Sequence, residues 1–171
     1  TQEPVAILHS WPSRCAYIAA MGAEEPDTPA DALDQRWDEC EETFVRLLKA
    51  LRVPYRYVDE DQVAAGVLED YQMLVAPRAW ALPQATLNAI DIFGADHPVV
   101  ADSGLGCYDE LGRRRDAPPI DGMAVTVWDD LPAPLSDETI ARFRAQVEAA
   151  GITPGTEIME GDISFWVPRQ F

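Results

Sequence analysis

The residues of this chain best suited to chemistry stand where short apolar runs end. His97 to Gly106, HPVVADSGLG, breaks from a β-branched run into a glycine-flanked polar turn carrying Asp102, Ser103 and Gly104. In an open α/β sheet such a turn marks the carboxyl end of a central parallel strand, where nucleophiles and ligands are held. Ser103 could attack a carbonyl from a strained turn, and Cys107 is the nearest thiol. Either would need a general base. The chain has two histidines, His9 and His97, and both precede the turn. Ala101 stands where a GxSxG elbow has its first glycine, so a structural turn is the preferred reading of Ser103.

A second set of residues should open on the same edge. His9, Trp11 and Arg14 follow the first apolar run, Arg78 and Trp80 follow the third, and Tyr108 lies past the fourth. Tryptophan beside polar groups stacks on sugar rings, but exposed aromatics with arginine also build subunit interfaces. Interface or interdomain packing is the preferred reading. Asp102 with Asp109 and Glu110 has the chemistry to hold a cation or sugar hydroxyls. In so acidic a chain solvated carboxylates explain these residues as well, and no metal site is expected. Arg113, Arg114 and Arg115 form a basic turn, expected to pair with the chain's own carboxylates or a neighbouring domain.

Composition narrows the classes. The 171 residues carry a formal net charge of −17, which disfavours nucleic acid and anionic membrane as partners. Lys49 is the one lysine, a bias that fits a GC-rich genome or a salt-adapted surface. The three cysteines, Cys15, Cys40 and Cys107, show no CxxC or Cys/His spacing and read as buried free thiols. Gly104-Leu105-Gly106 lacks a third glycine, so no phosphate loop and no cofactor is expected. No apolar run reaches the roughly 18 residues of a membrane span. The start, TQEP, has neither the basic region nor the apolar core of a targeting peptide, which leaves localisation open.

The elements that position these residues alternate. Val5–His9 reads as a first buried strand ending in the turn Ser10-Trp11-Pro12, followed by an irregular acidic loop over about 22–36. Asp38–Arg52 reads as an amphipathic helix, Val53–Tyr57 as a strand, and Asp59–Asp70 as a turn and short helix. Met73–Ala76 is a third strand, Pro83–Gly94 a helix and Val99–Ala101 a fourth strand. Beyond Asp109, Pro118-Pro119 reads as extended, Met123–Trp128 as an edge strand, Ser136–Gly151 as a capped helix and Ile163–Val167 as a last strand. Strands separated by helices predict a single α/β domain with a mostly parallel central sheet in three layers.

This order of pieces resembles the class I glutamine amidotransferase-like, flavodoxin-like fold, and within it the trimerisation domain of family 42 β-galactosidases. The resemblance rests on VAILHSWPSRCAY, ETFVRLLKALRVPYRYVDED, YQMLVAPRAWALP and HPVVADSGLGCYDELGR, covering roughly residues 4 to 115. It implies, for catalytic relatives, a GxCxG elbow served by a downstream His–Glu pair. Here the elbow position falls near Ser103, Cys107 lies several residues past it, and no histidine follows. The resemblance therefore implies a non-catalytic domain of a carbohydrate-active multidomain protein, serving oligomerisation or interdomain packing. Its partners would be other domains of the same chain or identical subunits. The chain stops at Phe171 directly after an apolar run, which reads as a domain excised from a longer protein. The alternatives are a small hydrolase or amidase using Ser103 or Cys107, and a small-ligand or sugar-binding module.

Overall fold

A computed structural model describes residues 3–117, 119–129 and 134–155. Five strands form one sheet in the order β2-β1-β3-β4-β5: β1 Val5–Leu8, β2 Tyr55–Val58, β3 Met73–Ala76, β4 Val99–Ala101 and β5 Thr126–Val127. All four pairings are parallel, with Val5 beside both Tyr55 and Met73, Leu74 beside Val99 and Val100 beside Thr126. The central strands VAIL, MLVA and VVA are buried at every position. That follows from helices lying on both faces, which leave no polar side for the strands to alternate toward.

Strand parity divides the core. Ala6, Leu8, Leu74, Ala76, Val99 and Ala101 face α3 (Glu60–Ala64) and α4 (Gln84–Gly94) through Val63, Leu87, Ile90 and Phe93. Val5, Ile7, Met73, Val75 and Val100 face α2 (Ala30–Ala50) and α5 (Asp137–Ala149) through Phe44, Leu47, Leu48, Phe143 and Val147. The result is a flavodoxin-like three-layer α/β fold, with the expected parallel sheet.

The region after β1 departs from expectation. Ser10-Trp11-Pro12 opens a helix, α1 (Trp11–Glu24), rather than a turn. Ser10 caps it by accepting from the Ser13 N–H at 3.3 Å, and Pro12 sits in the first turn, where its missing N–H costs nothing. The acidic loop contracts accordingly, since α2 begins at Ala30 and buries Leu33 and Trp37 at helical spacing before the expected start at Asp38. α3 opens with a capping box between Asp59 and Gln62. A 3-10 turn, Pro119–Gly122, replaces the extended segment, and the edge strand shrinks to Thr126–Val127. The strand expected over Ile163–Val167 lies outside the described residues.

Candidate functional site

In this strand order the crossover direction reverses between β1 and β3, and the carboxyl ends of those two strands normally part to form a ligand crevice. Here the crevice is filled by the chain itself. Ser13, in the first turn of α1 and wholly buried, donates its hydroxyl to the Ala81 carbonyl at 3.0 Å and accepts from the Ala81 N–H at 2.9 Å. Ala81 belongs to the segment after β3, so two short hydrogen bonds seal the switch point.

The turn after β4 is closed in the same way. The Asp102 carboxylate accepts from the backbone N–H of Arg78 at 2.6 Å, the indole N–H of Trp80 at 2.9 Å and the backbone N–H of Gly104 at 2.8 Å. Burial pushes the pKa of Asp102 up, and the three N–H donors with the Arg78 charge pull it back. Arg78 holds a left-handed backbone, φ +46, at a cost on the order of 1–2 kcal/mol. Its Nε donates to Cys40 Sγ at 2.8 Å, and its guanidinium carbon lies 4.3 Å from the Tyr17 ring centroid. Trp80 lies edge-on to Tyr17 and stacks on Tyr108, with centroids at 5.1 and 6.4 Å. Arg78, Trp80, Asp102 and Tyr108 thus form one cluster, joined by Tyr17 and Cys40.

Among the described residues neither histidine accompanies the nucleophile candidates. Ser103 is exposed, and its backbone N–H donates to Asp129 at 2.8 Å. Cys107 is half-buried, and burial raises its pKa to about 11, which keeps the thiol protonated at neutral pH. His97 precedes β4 and lies edge-on to Phe93, at the opposite edge of the sheet. His9 follows β1, two strands from Ser103 and so about 10 Å away in strand spacing alone. Asp109 turns inward on its own loop, accepting from the N–H groups of Leu111 and Arg113, and does not join Asp102. Among the described residues no group of acids, histidines and cysteines is arranged to hold a metal.

No protein-family model matches the sequence, and no curated protein does. Solved structures do. A catalytic mutant of Gan42B, a GH42 β-galactosidase from G. stearothermophilus, superposes with a TM-score of 0.55 at 18% identity, over 68% of this chain and 16% of that one. The β-galactosidase of Bacillus circulans sp. alkalophilus gives 0.51 at 12%, over 67% and 15%. The apo exo-carrageenase GH42 of Bacteroides ovatus gives 0.53 at 14%, over 90% and 18%. At these identities the likeness is one of fold. This chain spans about a sixth of the length of each of these proteins.

His9, Trp11 and Arg14 form a second cluster, toward β2. Arg14 pairs with Asp34 through two contacts of 2.6 Å and with Asp38 at 3.0 Å, and lies between the Trp11 and Trp37 rings at 5.8 and 5.2 Å. His9 Nδ1 donates to Glu41 at 2.8 Å, and that contact raises its pKa. The imidazole stands edge-on to Trp37 and to Tyr57. A cleft of about 460 Å³ opens here, lined by His9, Glu41, Tyr57, Val58, Asp59 and Gln62. Burial and the nearby Glu41 carboxylate push the Tyr57 phenol pKa up.

Sequence reasoning missed Tyr17, Trp37, Cys40, Glu41 and Tyr57. All but Tyr57 sit on α1 or on α2, and the sequence over α1 carries the signals of a turn and loop. All three cysteines are free, as expected, but only Cys40 is buried, since Cys15 is exposed and Cys107 half-buried. In the basic turn, Arg115 donates to the Leu82 carbonyl at 2.8 Å and to Gln84 at 3.2 Å, rather than to a carboxylate.

Proposed function

We propose that this chain is a non-catalytic, amidotransferase-like domain of a carbohydrate-active, β-galactosidase-like multidomain protein, serving oligomerisation or interdomain packing. The observation that carries this reading is the occupancy of its own strand-end site. A working acyl-transfer site leaves N–H donors free for the oxyanion of the substrate. Here three such donors converge on the Asp102 carboxylate, and Ser13 closes the crevice beside them. The fold shared with GH42 proteins, over about a sixth of their length, supports a parent protein of that kind.

The carboxyl edge of the sheet is the packing face in this reading. Trp11 follows β1 and is 64% exposed, and Leu111 follows β4 and is 69% exposed. In this reading the two contribute to one partner-facing apolar patch. The chain, incubated with nitrophenyl acetate, glutamine and nitrophenyl β-galactoside, should give no turnover above that of its Ser103→Ala and Cys107→Ala variants. Turnover abolished by either substitution overturns the non-catalytic reading. Sedimentation across salt concentrations tests self-assembly, with Trp11→Glu plus Leu111→Glu expected to shift an assembled species toward monomer. The surrounding reading frame tests the parentage: an adjoining (β/α)8 barrel supports it, and a complete gene of this length sinks it.

A further inference from the structure

The cleft between β1, β2 and α2 has chemistry that neither the packing role nor the closed turns use. Its floor is an orienting pair, His9 and Glu41, joined at 2.8 Å. A carboxylate can only accept, so Nδ1 carries the shared proton and Nε2 is left for another partner. His9 is 41% exposed on its side chain and Glu41 15%, so the pair is half-sheltered yet reachable. Tyr57 contributes a ring that is 45% exposed at the cleft wall.

The rim continues the alternation of donors and acceptors. Asp59 and Gln62 hold each other in a capping box, in which Asp59 Oδ1 accepts from the Gln62 N–H and Gln62 Oε1 accepts from the Asp59 N–H. Each then keeps one side-chain atom for a ligand: Oδ2 of Asp59, an acceptor, and Nε2 of Gln62, a donor. Because their other atoms are fixed, these two groups are pre-positioned, which lowers the ordering cost of binding.

We propose that this cleft binds a neutral, polyhydroxylated ligand of the size of a pyranose sugar. A hydroxyl both donates and accepts, so it matches a wall where Glu41 and Asp59 accept while Gln62 donates. It also serves His9 Nε2 in either protonation state. The carbon-bound face of a pyranose packs on an exposed tyrosine ring. An anionic ligand meets Glu41, Asp59 and the field of a chain of formal charge −17, and an ammonium, which can only donate, cannot serve His9 Nε2 when that atom carries a proton. The volume, about 460 Å³, lies within the range of small-molecule sites. The cleft opens on the same carboxyl edge as the packing face, but every residue that lines it belongs to one chain, so its binding is read on the isolated chain.

Saturation-transfer NMR on the 171-residue chain with methyl galactoside, methyl glucoside and methyl mannoside tests it, with glucuronate and glucosamine as the charged arms. At least one neutral glycoside should receive saturation at millimolar concentration and shift the His9 ring resonances while those of His97, at the far edge, stay fixed. Tyr57→Ala should weaken that binding at least tenfold and Glu41→Gln several-fold, with far-ultraviolet circular dichroism showing the variants folded. Tyr57→Phe, which keeps the ring, should retain most of it and guards against a folding defect in the alanine variant. No transfer to any neutral glycoside, transfer to a charged sugar alone, or binding indifferent to Tyr57→Ala overturns the proposal. Because the readout is binding, a failure here leaves the turnover and sedimentation results unaffected.

Discussion

The indole N–H of Trp80 donates to Asp102 Oδ1 at 2.9 Å, so a side chain from the turn after β3 fastens the turn after β4. Removing the acceptor strands this donor together with the N–H groups of Arg78 and Gly104. Asp102→Ala should cost about 3 kcal/mol in urea unfolding, because each buried donor left unpaired carries a penalty of about 1–3 kcal/mol, partly relieved by water. Asp102→Asn keeps one carbonyl oxygen and should lose less. A neutral result for the alanine variant would show that the three contacts are not formed together.

Gly104 lies against the Trp80 ring, and a Cβ at that position would come within 2.5 Å of Trp80 Cδ1. Gly104→Ala should therefore destabilise by about 1–3 kcal/mol, as overpacking does in a close-packed interior. Gly112 provides the contrast: its φ is +74, but nothing lies within 4 Å of its added Cβ. Gly112→Ala should cost only backbone strain, about 1 kcal/mol. Equal losses at the two sites would argue against the Trp80 contact.

The pair of His9 and Glu41 makes stability depend on pH. Its folded pKa is raised above 6.5, first by the hydrogen bond to Glu41. A histidine with a raised folded pKa stabilises fully below the unfolded value and loses that contribution as pH rises through the folded one. The melting temperature of the wild type relative to His9→Gln should thus be highest below pH 6.5 and decline above it. The half-exposed position keeps the effect to about 1–3 °C. A wild-type advantage that grew with pH would reverse the assignment.

The three thiols should separate kinetically. Cys15 is exposed, Cys40 buried and Cys107 half-buried with its pKa pushed to about 11. With a thiol-disulfide reagent at pH 8, Cys15 should react fastest, Cys107 slowly through its small thiolate fraction, and Cys40 only on unfolding. Mass mapping of the modified sites reads the order directly, and early modification of Cys40 would contradict its burial.

The sequence announced the sheet and concealed the helix that packs beside it. Met73–Ala76 and Val99–Ala101 were legible to the residue, because strands covered on both faces become unbroken apolar runs. α1 was not, because WPSRCAYIAAMGAE has no acidic residue in its first turn and only Ser13 and Tyr17 fully buried, so its apolar face is faint. Pro12 read as a breaker, although at a helix start it is an initiator. The early part of α2 is masked by Asp31 and Asp34, even though Leu33 and Trp37 keep helical spacing.

The site was legible to the same degree. Residues that follow strands were placed on the correct edge, since parallel strands send their carboxyl ends the same way. Glu41 and Cys40 could not be anticipated, because they reach that edge from mid-helix, through an angle that only the packing of α2 on the sheet determines. The two clusters therefore form from one strand-end residue set, recognised in sequence, and one helix-borne set, recognised only in space.

The position of β1 governs the order in which this chain can fold. It precedes the other strands in the sequence yet lies inside the sheet, with Val5 paired to Tyr55 on one side and Met73 on the other. During synthesis β1 must therefore wait, its apolar residues unpaired, until both neighbours have been made, and closing those long loops sets a slow step. Among the described strands VAIL thus waits longest, in residues synthesised, for both of its partners.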